Sequence, residues 1–342
     1  MRNLPARYKV CGSPLRGGFG EVYICNDLQL ERRVAIKFIQ DVNQKSRLRD
    51  EFVALMRIRS KHVVQLYDVI LADNDTYGLV QEYVEGEDLL ESDYPRRSEL
   101  NYLKTVWQIA AGIADIHVTG IIHRDIKPNN MKTSAEGVVK IFDFGLSRHG
   151  GLNSQTKGFK GTVGFAAPEL CGGGDCSFTQ AVDTFAFGAT ALYLAIGPSI
   201  TSFESSQFAT LAIIPPAIRP VLEACMSCDP AARPQMKDMR NLIAPYLLRD
   251  THQALAVIGG KKYVLNTQNR NITLEMGAVG KVKITYNGLG FVVSHVEGAV
   301  YINNAAVVIN QVMPGSCVIT LGNNGTSRDF VPFDVSNPEV VL

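Results

Sequence analysis

His123-Arg124-Asp125-Ile126-Lys127-Pro128-Asn129-Asn130, followed by Asp143-Phe144-Gly145, is the stretch on which the reading of this chain turns. On either side of it the texture of the sequence differs. Upstream, Tyr8-Lys9-Val10, Glu21-Val22-Tyr23-Ile24 and Val34-Ala35-Ile36-Lys37-Phe38-Ile39 are short runs rich in β-branched and aromatic residues, the composition of strands. Between Arg47 and Arg59 the apolar residues Phe52, Leu55, Met56 and Ile58 recur at helical spacing, and strand-like runs return around 63–69 and 77–83. Nearer the octapeptide, Leu103, Val106, Trp107, Ala110, Ile113, Ala114 and His117 fall on one stripe of a helix that Ser98 can cap. Downstream, helical segments recur at 179–196 and 217–226, and Pro245 comes near the end of the last one. The expectation is an α+β arrangement in which a β-rich lobe precedes an α-rich lobe.

Chemistry-bearing residues accompany this pattern. Gly17, Gly18 and Gly20, with Phe19 at the tip and Val22 beyond, make a turn between two strands. Backbone N–H groups of such a turn can approach a phosphate without interference from side chains. Alone, the turn reads equally well as a plain hairpin. Lys37 ends Val34-Ala35-Ile36-Lys37, and Glu51 begins the apolar stripe of the next helix. A lysine at a strand edge is ordinarily just solvated, but its spacing after the glycine turn suits a cation that holds phosphates while a helix carboxylate orients it. Phosphoryl transfer asks a protein mainly for positioning and charge stabilisation, which is what these groups supply.

With the octapeptide and Asp143-Phe144-Gly145 added, residues of about 8–248 resemble the eukaryotic-type (Hanks-type) protein serine/threonine kinases. The resemblance implies the bilobal protein kinase fold, a protein substrate, and ATP and magnesium as cofactors, with manganese as a substitute. It implies Asp125 as catalytic base towards the substrate hydroxyl, with Lys37, Lys127 and Glu51 as its catalytic companions. Asn130 and Asp143 become the magnesium ligands, and oxygen donors of this kind suit a hard cation. Gly17, Gly18, Gly20, Val22, Ala35, Lys37, Glu82, Val84 and Asp88 become the ATP-binding set, with Asp88 where the family commonly contacts the ribose; an acidic residue there also reads as a helix cap.

Gly161-Thr162-Val163-Gly164-Phe165-Ala166-Ala167-Pro168-Glu169 is similar to the segment that closes the family's activation loop. The resemblance implies that Glu169 pairs with Arg233 and that Asp183 anchors the catalytic loop from a central buried helix. Lys127 and Thr162 resemble serine/threonine rather than tyrosine kinases. Arg124, just before the catalytic Asp, is associated in the family with activation by loop phosphorylation. Ser147, Ser154, Thr156 and Thr162 are the candidate phosphosites, Thr156 first by position, and autophosphorylation is expected; as a plain alternative they are solvated loop hydroxyls. Two departures stand out: Leu15 occupies the place of the family's first loop glycine, and Gln81 precedes Glu82-Tyr83-Val84 where a bulky apolar residue or Thr is commoner.

After Asp250 the texture changes again. Ile272-Thr273-Leu274, 282–286, Phe291-Val292-Val293, Val300-Tyr301-Ile302, Val307-Val308-Ile309, 318–321 and 330–333 read as short strands separated by turns such as Asn287-Gly288 and Pro314-Gly315. The apolar–polar alternation of Lys281-Val282-Lys283-Ile284-Thr285-Tyr286 marks a half-buried strand. The expected organisation is a kinase domain over 1–250, a linker at 251–261 and a small all-β domain, a sandwich, over 262–342. The tail faintly resembles forkhead-associated domains, through 300–304, 315–322 and 330–333, with Ser294-His295 where that family has Ser and His near a phosphate site. A phosphopeptide or a docking partner is the implied ligand; a plain docking or dimerisation module is the other reading.

Composition narrows the rest. A net charge of +1 over 342 residues gives no global reason to expect a nucleic acid or an anionic membrane as partner. The apolar stretch 185–198 is shorter than the roughly 20 residues that span a bilayer, so it reads as a buried helix. Met1-Arg2-Asn3-Leu4-Pro5 lacks the apolar run of a secretory signal, and a cytoplasmic protein is expected. Seven cysteines then read as reduced thiols, although Cys225 with Cys228 and Cys171 with Cys176 also resemble paired zinc ligands. Two further readings stand beside the kinase. A pseudokinase scaffold should lack one of Lys37, Asp125, Asn130 or Asp143, and none is missing; a kinase of a small-molecule substrate usually lacks Ala167-Pro168-Glu169.

Overall fold

Val34, Ile36 and Phe38 alternate along one strand and are fully buried, while Ala35 and Lys37 point to its opposite face. That single strand separates the core of the first sheet from the cleft that the sheet helps to form. The computed structural model describes residues 4–17, 20–38, 45–72, 76–144, 148–149, 164–171, 178–323, 327–336, 338 and 340. Its first strands are β1 (Tyr8–Val10), β2 (Leu15–Gly17), β3 (Gly20–Asp27), β4 (Arg32–Phe38), β5 (Leu66–Ala72) and β6 (Thr76–Glu82), with α1 (Lys45–Arg57) between β4 and β5. They pair antiparallel in the order β1-β3-β4-β6-β5, with β2 hairpinned onto β3 so that Gly17 faces Gly20. Tyr23, Cys25, Val34, Ile36, Phe38, Ile70 and Val80 fill the core on one face.

The α-rich half follows as expected. It comprises β7 (Gly86–Asp88), α2 (Glu99–Val118), β8 (Ile121–Ile122), β9 (Met131–Ser134), β10 (Val139–Ile141), β11 (Arg148–His149), α3 (Pro168–Cys171), α4 (Ala181–Ile196), α5 (Arg219–Cys225) and α6 (Met236–Leu247). Ser98 caps α2 by accepting the Asn101 N–H at 3.1 Å. Gly120, at φ 78°, ends that helix in the left-handed conformation that glycine tolerates best. Residues 182–184 and 186–194 of α4 are all buried, the pattern of a helix surrounded by protein. No helix among the described residues is long and apolar enough to cross a membrane.

The chain divides into two compact units after Ile243. In the second unit the stretch expected as a linker, 251–261, instead carries β12 (Ala254–Ile258) and the start of β13 (Lys261–Leu265). Its run Ala254-Leu255-Ala256-Val257-Ile258 is apolar throughout, without the apolar–polar alternation that marks a half-buried strand. Then come β14 (Asn271–Met276), β15 (Gly280–Tyr286), β16 (Phe291–Gly298), β17 (Val300–Ile302), β18 (Ala305–Ala306), β19 (Cys317–Leu321) and β20 (Asp329–Val335). They form one sheet in the order β13-β12-β20-β19-β17-β18 and another of β14-β15-β16. Val282, Ile284 and Tyr286 of β15 share one apolar core with Ala256, Ile319, Leu321, Val331 and Phe333 of the other sheet, so the unit is a sandwich. The run Val307-Val308-Ile309, expected as a strand, lies outside the strands, with Val308 65% and Ile309 54% exposed.

His62, just before β5, is buried edge-on against Trp107, with ring centroids 6.0 Å apart. Its Nδ1 donates to the Val139 carbonyl at 3.2 Å, which fixes the neutral tautomer. Its Nε2 has no hydrogen-bond partner among the described residues. Burial pushes its pKa down to about 4. An unfolded histidine titrates near about 6.5, so below that pH the unfolded chain binds the extra proton and the fold loses stability as pH falls towards the folded value. Thermal melting should therefore show Tm falling between about pH 6.5 and about 4, with a shallower fall in His62→Asn. Equal slopes in the two proteins would remove His62 as the cause.

Candidate active site

Lys37 reaches across from β4 to two carboxylates carried by distant parts of the chain. Its Nζ lies 2.7 Å from Glu51 Oε2 on α1 and 2.8 Å from Asp143 Oδ1 just beyond β10. Burial by itself would lower the ammonium's pKa, but the charges of Glu51 and Asp143 outweigh it and push the pKa up, so the lysine stays charged. Glu51 is fully buried, and its other oxygen accepts Gln81 Nε2 at 3.0 Å.

The octapeptide folds back on itself beside this group. Pro128 begins a single 3-10 turn, 128–130, which returns Asn130 to Asp125. Asn130 Nδ2 donates to Asp125 Oδ2 and to the Asp125 carbonyl, both at 2.8 Å. Lys127 Nζ lies 2.8 Å from Asp125 Oδ1. With its N–H groups given to Asp125, the Asn130 side chain keeps a carbonyl oxygen as its remaining acceptor. The Phe142 N–H donates to the Asn130 carbonyl at 3.0 Å, tying this loop to the segment that carries Asp143.

Two backbone residues here are strained. Arg124 has φ 69° and Asp143 has φ 66°, the left-handed region that non-glycine residues occupy at a cost of about 1 kcal/mol or more each. Asp183, fully buried on α4, accepts the N–H groups of His123 at 2.8 Å and Arg124 at 2.7 Å. It also accepts His117 Nε2 at 3.0 Å. Burial opposes its charge, yet the His117 hydrogen bond and the neighbouring positive and N–H groups hold its pKa below the usual carboxylate value. The strained turn at Arg124 is thus held by a buried anion.

Beside these groups opens a cleft. Its walls include Leu15, Val22, Ile24 and Ala35 from β2 to β4, Gln81 to Val84 at the end of β6 and just beyond it, and Lys132, Phe142 and Asp143 from the α-rich half. Mostly apolar side walls with a charged end suit a flat heterocycle with an anionic tail.

A family model described as the protein kinase domain matches residues 13–247. The chain belongs to the protein kinase family. It is 32% identical to a probable serine/threonine-protein kinase of Dictyostelium discoideum over 66% of this chain and 26% of that protein. It is 34% identical to the serine/threonine-protein kinase PknA of Corynebacterium glutamicum, over 58% of this chain and 45% of the relative. With the serine/threonine-protein kinase PrkC of Bacillus subtilis the identity is 31%, over 57% and 31%. The chain therefore spans less than half the length of each of these relatives.

Among the residues that the kinase resemblance singled out, Lys37, Glu51 and Asp143 form one cluster and Asp125, Lys127 and Asn130 a second, linked by the Phe142-to-Asn130 backbone bond; Lys37 and Asp143, with Val22, Ala35, Glu82 and Val84, line the cleft. Gly17 and Gly20 end β2 and begin β3, while Gly18 lies outside the described residues. Ser147, Ser154, Thr156 and Thr162 lie outside them too. Asp88 is exposed and 3.4 Å from Lys132. Glu169 and Arg233 form a bidentate pair at 2.6 and 2.8 Å, and the arginine also donates to the carbonyls of Ser227 and Ala181. In the second unit, Ser294 donates to the Lys283 carbonyl and His295 sits 2.6 Å from Glu297, so both side chains are engaged within their own sheet.

The oxygen donors of Asn130 and Asp143 would suit magnesium rather than zinc. Asn130 and Asp143 offer oxygen, and magnesium is usually held by one or two carboxylates together with substrate phosphates. Among the described residues no group of three His, Cys, Asp or Glu side chains could hold a metal ion unaided. Cys225 is buried whereas Cys228 is exposed, and Cys176 lies outside the described residues.

Sequence reading missed three contributors. Lys132 lines the cleft, Lys140 lies 2.8 Å from Glu82, and His117 completes the hold on Asp183. Each is a polar residue on an otherwise ordinary strand or helix, so no local spacing sets it apart. Only His117, polar on an apolar helical stripe, carried a signal.

The Arg233 side chain is fully buried, so removing its partner leaves a charge without compensation. Glu169→Ala is expected to cost about 3 kcal/mol or more in urea unfolding. A loss below about 1 kcal/mol would place the pair among surface ion pairs.

Proposed function

We propose that this chain is a serine/threonine protein kinase that transfers the γ-phosphate of ATP to hydroxyls of a protein substrate. The observation that carries the reading is the cluster of Lys37, Glu51 and Asp143, of which Lys37 and Asp143 line the cleft, tied through the Phe142 N–H to the loop that carries Asp125 and Asn130. Lys37, kept charged by two carboxylates, binds the α- and β-phosphates. Asp125 accepts the proton of the attacking hydroxyl, with Lys127 and Asn130 holding its carboxylate in place. Asn130 and Asp143 would hold magnesium, which would supply charge stabilisation to the transferring phosphate. The catalytic groups that a pseudokinase would lack are present, and Ala167-Pro168-Glu169, with Glu169 tied to Arg233, favours a protein over a small metabolite as substrate.

Autophosphorylation within 147–162, at Thr156 first, and a cytoplasmic location belong to the same proposal. The second unit is proposed as a docking or regulatory module. Its likeness to forkhead-associated domains would make phosphothreonine peptides its ligands; the engagement of Ser294 and His295 within their sheet favours plain docking.

With magnesium and γ-labelled ATP, the wild-type chain should label a generic protein substrate. Lys37→Met, Asp125→Asn and Asp143→Ala should each lower that rate by about a hundredfold or more while keeping the wild-type circular dichroism spectrum, even where loss of a buried charge lowers Tm. Chelation of magnesium should abolish labelling. Undiminished transfer by any of the three variants would refute the assigned roles. Mass spectrometry after incubation with ATP should find phosphate within 147–162 in the wild type and not in Asp125→Asn; its absence from the active protein would remove autophosphorylation from the proposal.

A further inference from the structure

Gln81 lies near the end of β6, is 6% exposed and lines the cleft. Its Nε2 donates to Glu51 Oε1 at 3.0 Å. The other oxygen of that carboxylate takes Lys37 Nζ at 2.7 Å, and Lys37 continues to Asp143 at 2.8 Å. Side chains from β6, α1, β4 and the turn after β10 thus form one continuous polar chain.

We propose that Gln81 is a positioning residue for phosphoryl transfer: its carboxamide fixes the plane of the Glu51 carboxylate and thereby aims Lys37. The inference rests on the kinase reading and deepens it. A carboxylate only accepts hydrogen bonds, so the amide must turn its nitrogen towards Glu51, and the orientation of Gln81 follows from chemistry. The terminal torsion of a glutamate is soft, and one contact with a lysine leaves the carboxylate free to rotate. A second, opposed hydrogen bond removes that freedom. It also satisfies an oxygen that would otherwise lie buried without a donor. An apolar residue here could do neither. Because Gln81 also walls the cleft, the shape of the nucleotide site and the aim of the catalytic lysine depend on one side chain.

The test uses the full chain. Gln81→Met keeps the length and removes the donor, while Gln81→Glu sets a second carboxylate against Glu51. Gln81→Met should lower kcat about tenfold with KM for ATP changed less than about twofold. In a Glu51→Gln background the same change should lower kcat by less than about twofold, because its target is already altered. Gln81→Glu should gain rate relative to wild type as pH falls from about 8 to about 6, since a proton shared between the two carboxyls restores the donor. A purely structural role would move none of these. Equal losses with and without the Glu51 carboxylate, or full kcat in Gln81→Met, would overturn the inference. If Gln81→Met does not fold, as judged by melting, the pH response of Gln81→Glu decides alone.

Failure of the kinase reading shows separately, as a wild type that transfers no phosphate to any protein. Positioning is then read from acylation of Lys37 by an acyl phosphate of ATP, which requires the amine to be aimed at the phosphates. Labelling slowed by about threefold or more in Gln81→Met upholds the role of Gln81, and an unchanged rate overturns it.

Discussion

A buried ammonium between two carboxylates is the constraint on which the rest of the first unit depends. Lys37, Glu51 and Asp143 come from a strand, a helix and a loop that lie far apart in sequence. Any one of these charges alone in that place would face a large desolvation cost, and the three are tolerable only together. Keeping them together requires β4 to be central in its sheet, α1 to present Glu51 inward, and the segment after β10 to approach the sheet. The alternation of Val34, Ile36 and Phe38 meets the first requirement by burying one face of β4 and turning Lys37 to the other.

A second buried anion does comparable work in the α-rich half. Asp183 lies in a helix that is buried along most of its length, and it is tolerated because two backbone N–H groups and His117 converge on it. Those same N–H groups belong to a turn whose φ at Arg124 is unfavourable, so one interaction offsets two costs. The turn then sets where Asp125 stands, and Asn130 and Lys127 hold its carboxylate from either side. Positional accuracy at Asp125 is therefore bought from the helix core rather than from the loop itself.

The second unit follows simpler rules. Alternation along β15 and β16 places one row of apolar side chains against the larger sheet, and cross-strand pairing does the rest. Its polar groups are engaged locally, as in the Thr285–Ser294 and His295–Glu297 contacts. Among its described residues nothing repeats the costly buried charges of the first unit.

The sequence by itself determined the order of β-rich and α-rich halves, the Ser98 cap, the alternation of β15 and that Val22, Ala35, Lys37, Glu82 and Val84 line one cleft. These are legible because hydrophobic period, capping chemistry and the spacing of a catalytic loop are local properties of the chain. It did not reveal β12 and the start of β13 inside the expected linker, because the wholly apolar run 254–258 shows no apolar–polar alternation and is defined as a strand by its partners β13 and β20. It placed a strand at 307–309 where the chain leaves Val308 and Ile309 largely in solvent, since β-propensity counts only when a neighbouring strand is present to pair. Only the tertiary structure decided that Gln81 completes the Glu51 carboxylate, that His117 shares Asp183 and that Lys132 faces the cleft. Contacts between residues tens of positions apart depend on how the elements pack, and no one-dimensional spacing encodes that.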